Sequence, residues 1–158
     1  EAPQSAPERA WALMERFKAN AKRSGAEPVS QIRDELRTEM MDNCGVFRTA
    51  QNIEHCLKKI EELRSRVKDA KIFDTSETFN TDLLEAVELE NLLILAWVTA
   101  ASALKREESR GGHYREDFPK RDDKKWLVHT LATLKDDRLD FDFQPVTIAR
   151  FEPQERKY

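Results

Sequence analysis

The chain has 158 residues, of which 36% are charged and 8% aromatic, with a formal net charge of −3 and only 4 glycines. That length supports one hydrophobic core. The near-neutral balance points away from nucleic acid and from an anionic membrane surface, both of which call for concentrated positive charge.

Residues 1–7 are polar and proline-bearing, unlike a secretory signal. Pro7 suits a first helical turn. A first helix is therefore expected over about 7–23, with Trp11, Met14, Phe17 and Ala21 at helical spacing and Gly25 ending the run. Pro28 opens a second helix in which Ile32, Leu36 and Met40 recur on one face. Gly45 breaks it, and Val46-Phe47 is expected to fold back onto the core. Thr49 is the expected N-cap of a third helix, whose stripe is Ile53, Leu57, Ile60, Leu63 and Val67. The charges around that stripe, Lys58, Lys59, Glu61, Glu62, Arg64 and Arg66, read as a solvated face. His55 lies off the stripe and reads as solvated too. Cys44 and Cys56 lack the C-x-x-C spacing and read as buried free thiols.

Residues 74–80 are rich in turn and capping types, so a loop is expected. A fourth helix starts at Thr81 or Asp82 and runs to about Glu108, with Leu84, Val87, Leu92 and Leu95 inward. Its charge-free run, residues 92–104, is short of the roughly 20 apolar residues that span a bilayer. It reads as a central helix covered on most sides, with no direct membrane insertion.

The pair Gly111-Gly112 is expected to stop this helix, because glycine reaches the left-handed conformation at little cost. Pro119 forbids a return to helix. Between positions 109 and 125, Arg110, Arg115, Lys120, Arg121, Lys124 and Lys125 alternate with Glu116, Asp117, Asp122 and Asp123, and with Tyr114 and Phe118. Two readings fit that composition. One is a solvated connector whose aromatics cap the local core; the other is a docking surface where arginine forks meet carboxylates of another domain. Beyond it, residues 126–134 and 139–143, separated by Lys135-Asp136-Asp137, read as a hairpin with one buried face, Pro145 marking a sheet edge. Residues 151–158 are expected to be extended.

The expected fold is mainly α: an antiparallel bundle of three to four helices, spectrin-repeat-like, followed by a loop and a small C-terminal β-hairpin. It forms a single domain over 1–158, with the bundle at about 7–108, the polar loop at 109–125, and the hairpin and tail at 126–158.

No GxGxxG or Walker loop is present to cradle a phosphate. A di-iron bundle needs Glu-x-x-His pairs, and the sequence has none. His113 and His129 with Asp117 or Cys44 match no zinc-site spacing. Acid–base work by His113 beside Arg110, Arg115 and Asp117 is conceivable. A histidine flanked by arginines tends to be neutral, however, which favours a structural role.

The run Ser109-Arg110-Gly111-Gly112-His113, with Arg115, Asp117-Phe118-Pro119, Arg121-Asp122-Asp123 and Trp126-Leu127-Val128-His129-Thr130-Leu131, resembles the C-terminal domain of succinate dehydrogenase and fumarate reductase flavoprotein subunits. Met41 with Gly45-Val46-Phe47-Arg48 is similar to the same family. So are Asp74-Thr75-Ser76, Phe79-Asn80-Thr81 and Glu88-Leu89-Glu90-Asn91-Leu92, as well as the closing Pro153, Arg156 and Tyr158. An L-aspartate oxidase shares the Ser-Arg-Gly-x-His run, but Arg121-Asp122-Asp123 and His129-Thr130-Leu131 favour the succinate and fumarate branch, and within it the dehydrogenase.

The resemblance implies a domain excised from a longer flavoprotein and inactive alone. FAD and the residues that handle the dicarboxylate would lie in the parent's FAD and capping domains. This domain would pack on the FAD domain and help dock an iron–sulfur subunit. Ser109, Arg110, Gly112, His113, Arg115, Asp117, Arg121, Asp122 and Asp123 are the expected contact residues, with no catalytic, cofactor or metal role. The expected location is peripheral, on the cytoplasmic side of a bacterial or archaeal inner membrane or the matrix side of the mitochondrial one. A stand-alone helical interaction module is the alternative, and it would lack an exposed apolar face.

Overall fold

A computed structural model describes residues 5–22, 27–151 and 153–154. The expectations for Gly25, and for Arg156 and Tyr158 at the end, lie outside them. In chain order the elements are α1 (Ser5–Asn20), α2 (Val29–Cys44), β1 (Phe47–Arg48), α3 (Ala50–Arg66), a 3-10 turn (Val67–Asp69), α4 (Thr81–Lys105), β2 (Tyr114–Arg115), β3 (Val128–Lys135) and β4 (Arg138–Pro145). The mainly α bundle with a C-terminal hairpin is the expected one.

Helices α2, α3 and α4 pack pairwise, and α1 packs on α4. Val29, Ile32 and Leu36 of α2 meet Ile53, Cys56, Ile60 and Leu63 of α3 in the core. Thr49 caps α3 as expected, its Oγ1 accepting from the Asn52 amide at 3.2 Å, which satisfies one of the orphan donors of a helix start. Gly45 follows the end of α2, where the backbone leaves the helix and a Cβ would collide with the Met41 carbonyl oxygen, so only glycine fits.

Four expectations about the bundle need correction. Of the α1 stripe only Phe17 is fully buried, while Trp11 and Met14 are exposed; α1 closes one side of α4 and is fastened there by an Arg16–Glu90 ion pair. Val46 and Phe47 do not enter the core. Both are exposed, and the corner is held by its backbone, because β1 pairs in parallel with β2. Nor is the α3 charge belt simply solvated. Arg66 is gripped by Glu27, Glu35 at 2.7 Å and Glu62 at 2.8 Å, and the Arg64 guanidinium stacks 4.3 Å from the Trp97 ring centroid.

The largest correction concerns α4. Asn80 caps it, accepting from the Leu83 amide at 2.7 Å, but its buried face is Ala86, Leu89, Leu93, Ala96, Ala100 and Ala103. Leu84 and Leu95, expected inward, are 57% and 62% exposed. Alanines let α4 approach its neighbours closely, and leucines on the opposite side are left out. By length and composition α4 could also cross a membrane; here it is a bundle helix with one uncovered side.

Strands β3 and β4 form an antiparallel hairpin from Val128↔Pro145 to Lys135↔Arg138. Asp136 and Asp137 turn it with φ of 49° and 59°, the primed geometry that matches the twist of paired strands. Trp126 sits beneath, edge-on to Phe143 with centroids 5.5 Å apart. An Arg64–Asp137 ion pair ties the hairpin tip to α3.

Candidate docking site: the arginine knot after α4

Helix α4 ends at Lys105, six residues before Gly111, so the glycine pair does not stop it. Gly111 instead turns the chain at φ +59° between Arg110 and His113, which exchange backbone hydrogen bonds of 2.8 and 3.0 Å. The last α4 carbonyls are satisfied from elsewhere. Arg115, 1% exposed, donates through Nη1 to the Ala103 and Leu104 carbonyls, each at 3.0 Å. This places a cation at the negative end of the helix dipole.

The same guanidinium forms a two-pronged pair with Asp117, Nε and Nη2 each at 2.7 Å. Asp117 in turn accepts from the Ala50 amide at 2.9 Å, the first residue of α3. The Arg115 hydrogen bonds and the Ala50 amide hold the Asp117 carboxyl down at about 2 against the upward push of burial.

A second knot surrounds Glu108, which is fully buried. It accepts from Arg106 at 3.0 Å, from Arg110 at 2.8 Å and from the Asp122 amide at 2.9 Å. Burial works to raise its pKa, but Arg110, the Asp122 amide and Arg106 together outweigh it and leave the carboxyl below its ordinary value. Arg106 also donates to the Val128 carbonyl at 3.1 Å, to Thr130 at 3.0 Å and to the Trp126 carbonyl at 2.5 Å, stitching the loop to β3. Neither Arg106 nor Glu108 stood out in the sequence. The signal available was their position, in the four-residue charged run 105–108 that follows the charge-free residues 92–104.

His113 bridges the two knots. Its Nδ1 lies 2.9 Å from Arg48 Nη1 and its Nε2 3.1 Å from the Arg106 carbonyl oxygen. A guanidinium only donates and a carbonyl only accepts, so the ring is neutral with its proton on Nε2. Burial, and then the charges of Arg48, Arg115 and Arg106, lower its pKa. With both nitrogens engaged, His113 has no lone pair free for acid–base work.

The remaining expected residues lie in the same knot. The Ser109 hydroxyl accepts from the Arg115 amide at 2.9 Å and donates to the Phe118 carbonyl at 2.9 Å. Arg110 reaches Asp123 at 2.6 Å, and Arg121 reaches it at 2.8 Å. Asp122 accepts from the Lys124 and Lys125 amides at 3.0 and 3.1 Å. Gly112 faces open space. Beside the knot, exposed Phe47 and Tyr114 meet edge to face, centroids 5.9 Å apart. Among the described residues, no three His, Cys, Asp or Glu side chains gather into a metal site.

A small helical bundle that leaves Leu84, Leu92 and Leu95 of α4 exposed, closed by an internally paired arginine knot and a hairpin, defines a mainly α domain with an appended two-stranded sheet. The chain belongs to the fumarate reductase flavoprotein C-terminal family, whose model matches residues 33–158. It is 40% identical over 147 residues to the fumarate reductase flavoprotein subunit of Haemophilus influenzae, covering 92% of this chain and 24% of that protein. It is 41% identical over 137 residues to the succinate dehydrogenase flavoprotein subunit of Rickettsia bellii, covering 86% and 23%. Among solved structures, the FrdA chain of an E. coli quinol fumarate reductase variant superposes with a TM-score of 0.85 at 35% identity, over 98% of this chain and 27% of that one. The chain thus spans about a quarter of the length of these relatives. Relatives named for the reductase and for the dehydrogenase resemble it equally.

Proposed function

We propose that this chain is the C-terminal packing domain of an FAD-dependent flavoprotein subunit that interconverts succinate and fumarate, and that it has no activity alone. The carrying observation is the uncovered side of α4, where Leu84, Leu92 and Leu95 face outward in a chain a quarter the length of its relatives. Such a stripe on a small domain is what remains when a neighbour that covers it is absent. The neighbour proposed is the FAD-binding and capping portion of the subunit.

Phe79 extends that surface. It is 98% exposed at a φ of 55°, a backbone conformation unfavourable for an aromatic residue. Its loop is fixed by Asn80, which donates to the Asp74 and Ser76 carbonyls at 2.8 and 3.1 Å. A strained, held and unpacked aromatic is suited to filling a pocket on the covering domain.

The arginine knot has a separate role in this reading. Its charges pair within the domain, so it sets the loop's shape and presents Gly112, Tyr114 and Phe47 to a second surface. The iron–sulfur subunit is the partner proposed there, with electrons passing from flavin to that subunit and the assembly peripheral to the membrane.

A chimera in which this chain replaces the matching segment of the Haemophilus subunit tests the proposal. It is expected to retain FAD and fumarate reduction, and the isolated chain with added FAD is expected to show neither. Turnover by the isolated chain, or a folded chimera that sheds FAD, would overturn the reading.

A further inference from the structure

The hairpin has one edge that the domain leaves open. Its two-residue turn makes Lys135↔Arg138 a hydrogen-bonded pair, so every second residue along β4, Asp140, Asp142 and Gln144, bonds to β3 as well. The backbone groups of Leu139, Phe141 and Phe143 therefore point away from β3. Two contacts agree with that alternation. The Phe143 amide is taken by the Asp142 carboxylate at 2.8 Å, and on the opposite edge the outward Val128 carbonyl is taken by Arg106. Among the described residues, nothing bonds to the outward backbone groups of Leu139 and Phe141.

We propose that this free edge of β4 binds an extended, positively charged segment of another polypeptide, which joins the sheet as a third strand. In such an addition the main chain supplies affinity and alternate side chains supply specificity. Asp140 and Asp142 share the solvent face of the hairpin, both exposed, and among the described residues no cation pairs with either. Thr133 and Leu131 stand opposite them on β3, so the sheet offers no counter-charge at those positions. The basic residues of that face lie at its ends: Lys135 opposite Arg138 at the tip, and His129 opposite Gln144.

An added strand would set its own side chains directly beside the two acids. The other face of β4 carries Leu139, Phe141 and Phe143, so the segment that fits alternates basic and apolar residues. A second copy of β4 fits less well, because the antiparallel register that sets its Arg138 against Asp142 also sets Asp140 against Asp140. Pro145 and the capped Phe143 amide guard the far end of the edge, which confines pairing to the stretch around Leu139 and Phe141. This surface is neither the α4 face nor the arginine knot, so it does not depend on what covers those.

The test is a titration of the nitrogen-15-labelled chain with a short, terminally capped peptide that alternates arginine and valine, followed in amide correlation spectra. The largest shifts are expected at the Leu139 and Phe141 amides, and a peptide with glutamate in place of arginine should cause none. Asp140→Asn with Asp142→Asn should weaken binding about tenfold, through loss of two exposed ion pairs. Leu139→Pro, which removes one outward N–H and spares the ladder to β3, should abolish binding. The same spectra show whether the proline variant keeps its hairpin, and the asparagine variant, altered only in exposed side chains, keeps the proposal falsifiable if it does not. Absence of binding, shifts confined to other elements, equal binding of the glutamate peptide, undiminished binding in the asparagine variant, or pairing of two copies through β4 in place of peptide would overturn it.

Discussion

Arg115 and Asp117, two positions apart, together join the C-terminus of α4 to the N-terminus of α3. The guanidinium covers two α4 carbonyls and the carboxylate covers an α3 amide, so each charge sits at the helix end whose dipole it complements. Removing Arg115 would orphan both carbonyls and leave Asp117 without its fork. Arg115→Ala is expected to cost about 3 kcal/mol in urea denaturation. Arg115→Lys should recover less than half of that, because an ammonium cannot reproduce the two-pronged geometry.

The carboxylates give this fold an acid limit. Asp117 is held at about 2 by Arg115, and Glu35 at about 2 by Arg66 and Lys59. Both lie below their ordinary values of 3.8 and 4.5, so the stability they contribute is present above those values and is lost as pH falls towards 2. Thermal melts between pH 6 and 2.5 should show a steep decline below pH 4.5. Asp117→Asn with Glu35→Gln should lower stability at pH 6 and flatten that decline.

His113 makes a spectroscopic prediction. Its folded pKa lies below the ordinary 6.5, so the unfolded chain takes up this proton first and stability is lost as pH drops below 6.5. Nitrogen-15 correlation spectra should show a protonated Nε2 and an unprotonated Nδ1 at pH 6.5. His113→Phe, which keeps the volume but strands Arg48 and the Arg106 carbonyl, should cost about 2 kcal/mol.

Local chemistry made much of this legible in advance. Thr49 announces α3 because a hydroxyl before a helix has one obvious use, and the stripe from Ile53 to Val67 allows only one inward face. Lys135-Asp136-Asp137, between an apolar, β-branched segment and an alternating one, marks a hairpin for the same kind of reason. The α4 face was illegible because residues 92–104 are charge-free on every side and the acids of the first half, Asp82, Glu85, Glu88 and Glu90, are spread over several sides, so periodicity gives little direction; the alanines that mark its buried side look weaker than the leucines that do not. The arginine knot was found as a segment but not as a structure. Pairing within a loop depends on side chains folding back across it, and Arg106 and Glu108 act through partners about twenty positions away in the first case and fourteen in the second.

The uncovered α4 face separates packing within the domain from docking outside it. Leu84 and Leu95 contribute little burial here, so Leu84→Glu with Leu95→Glu should leave the isolated chain within about 0.5 kcal/mol of its original stability. In the Haemophilus chimera the same pair would place two carboxylates against a desolvated surface, and the expected result is loss of FAD retention together with subunit assembly. Leu89→Ala, on the buried side of the same helix, should behave oppositely, destabilising the isolated chain by about 2 to 4 kcal/mol. If the double glutamate variant unfolded the isolated chain as severely as Leu89→Ala, the two faces of α4 would be energetically alike and its outer side would have no claim to be an interface.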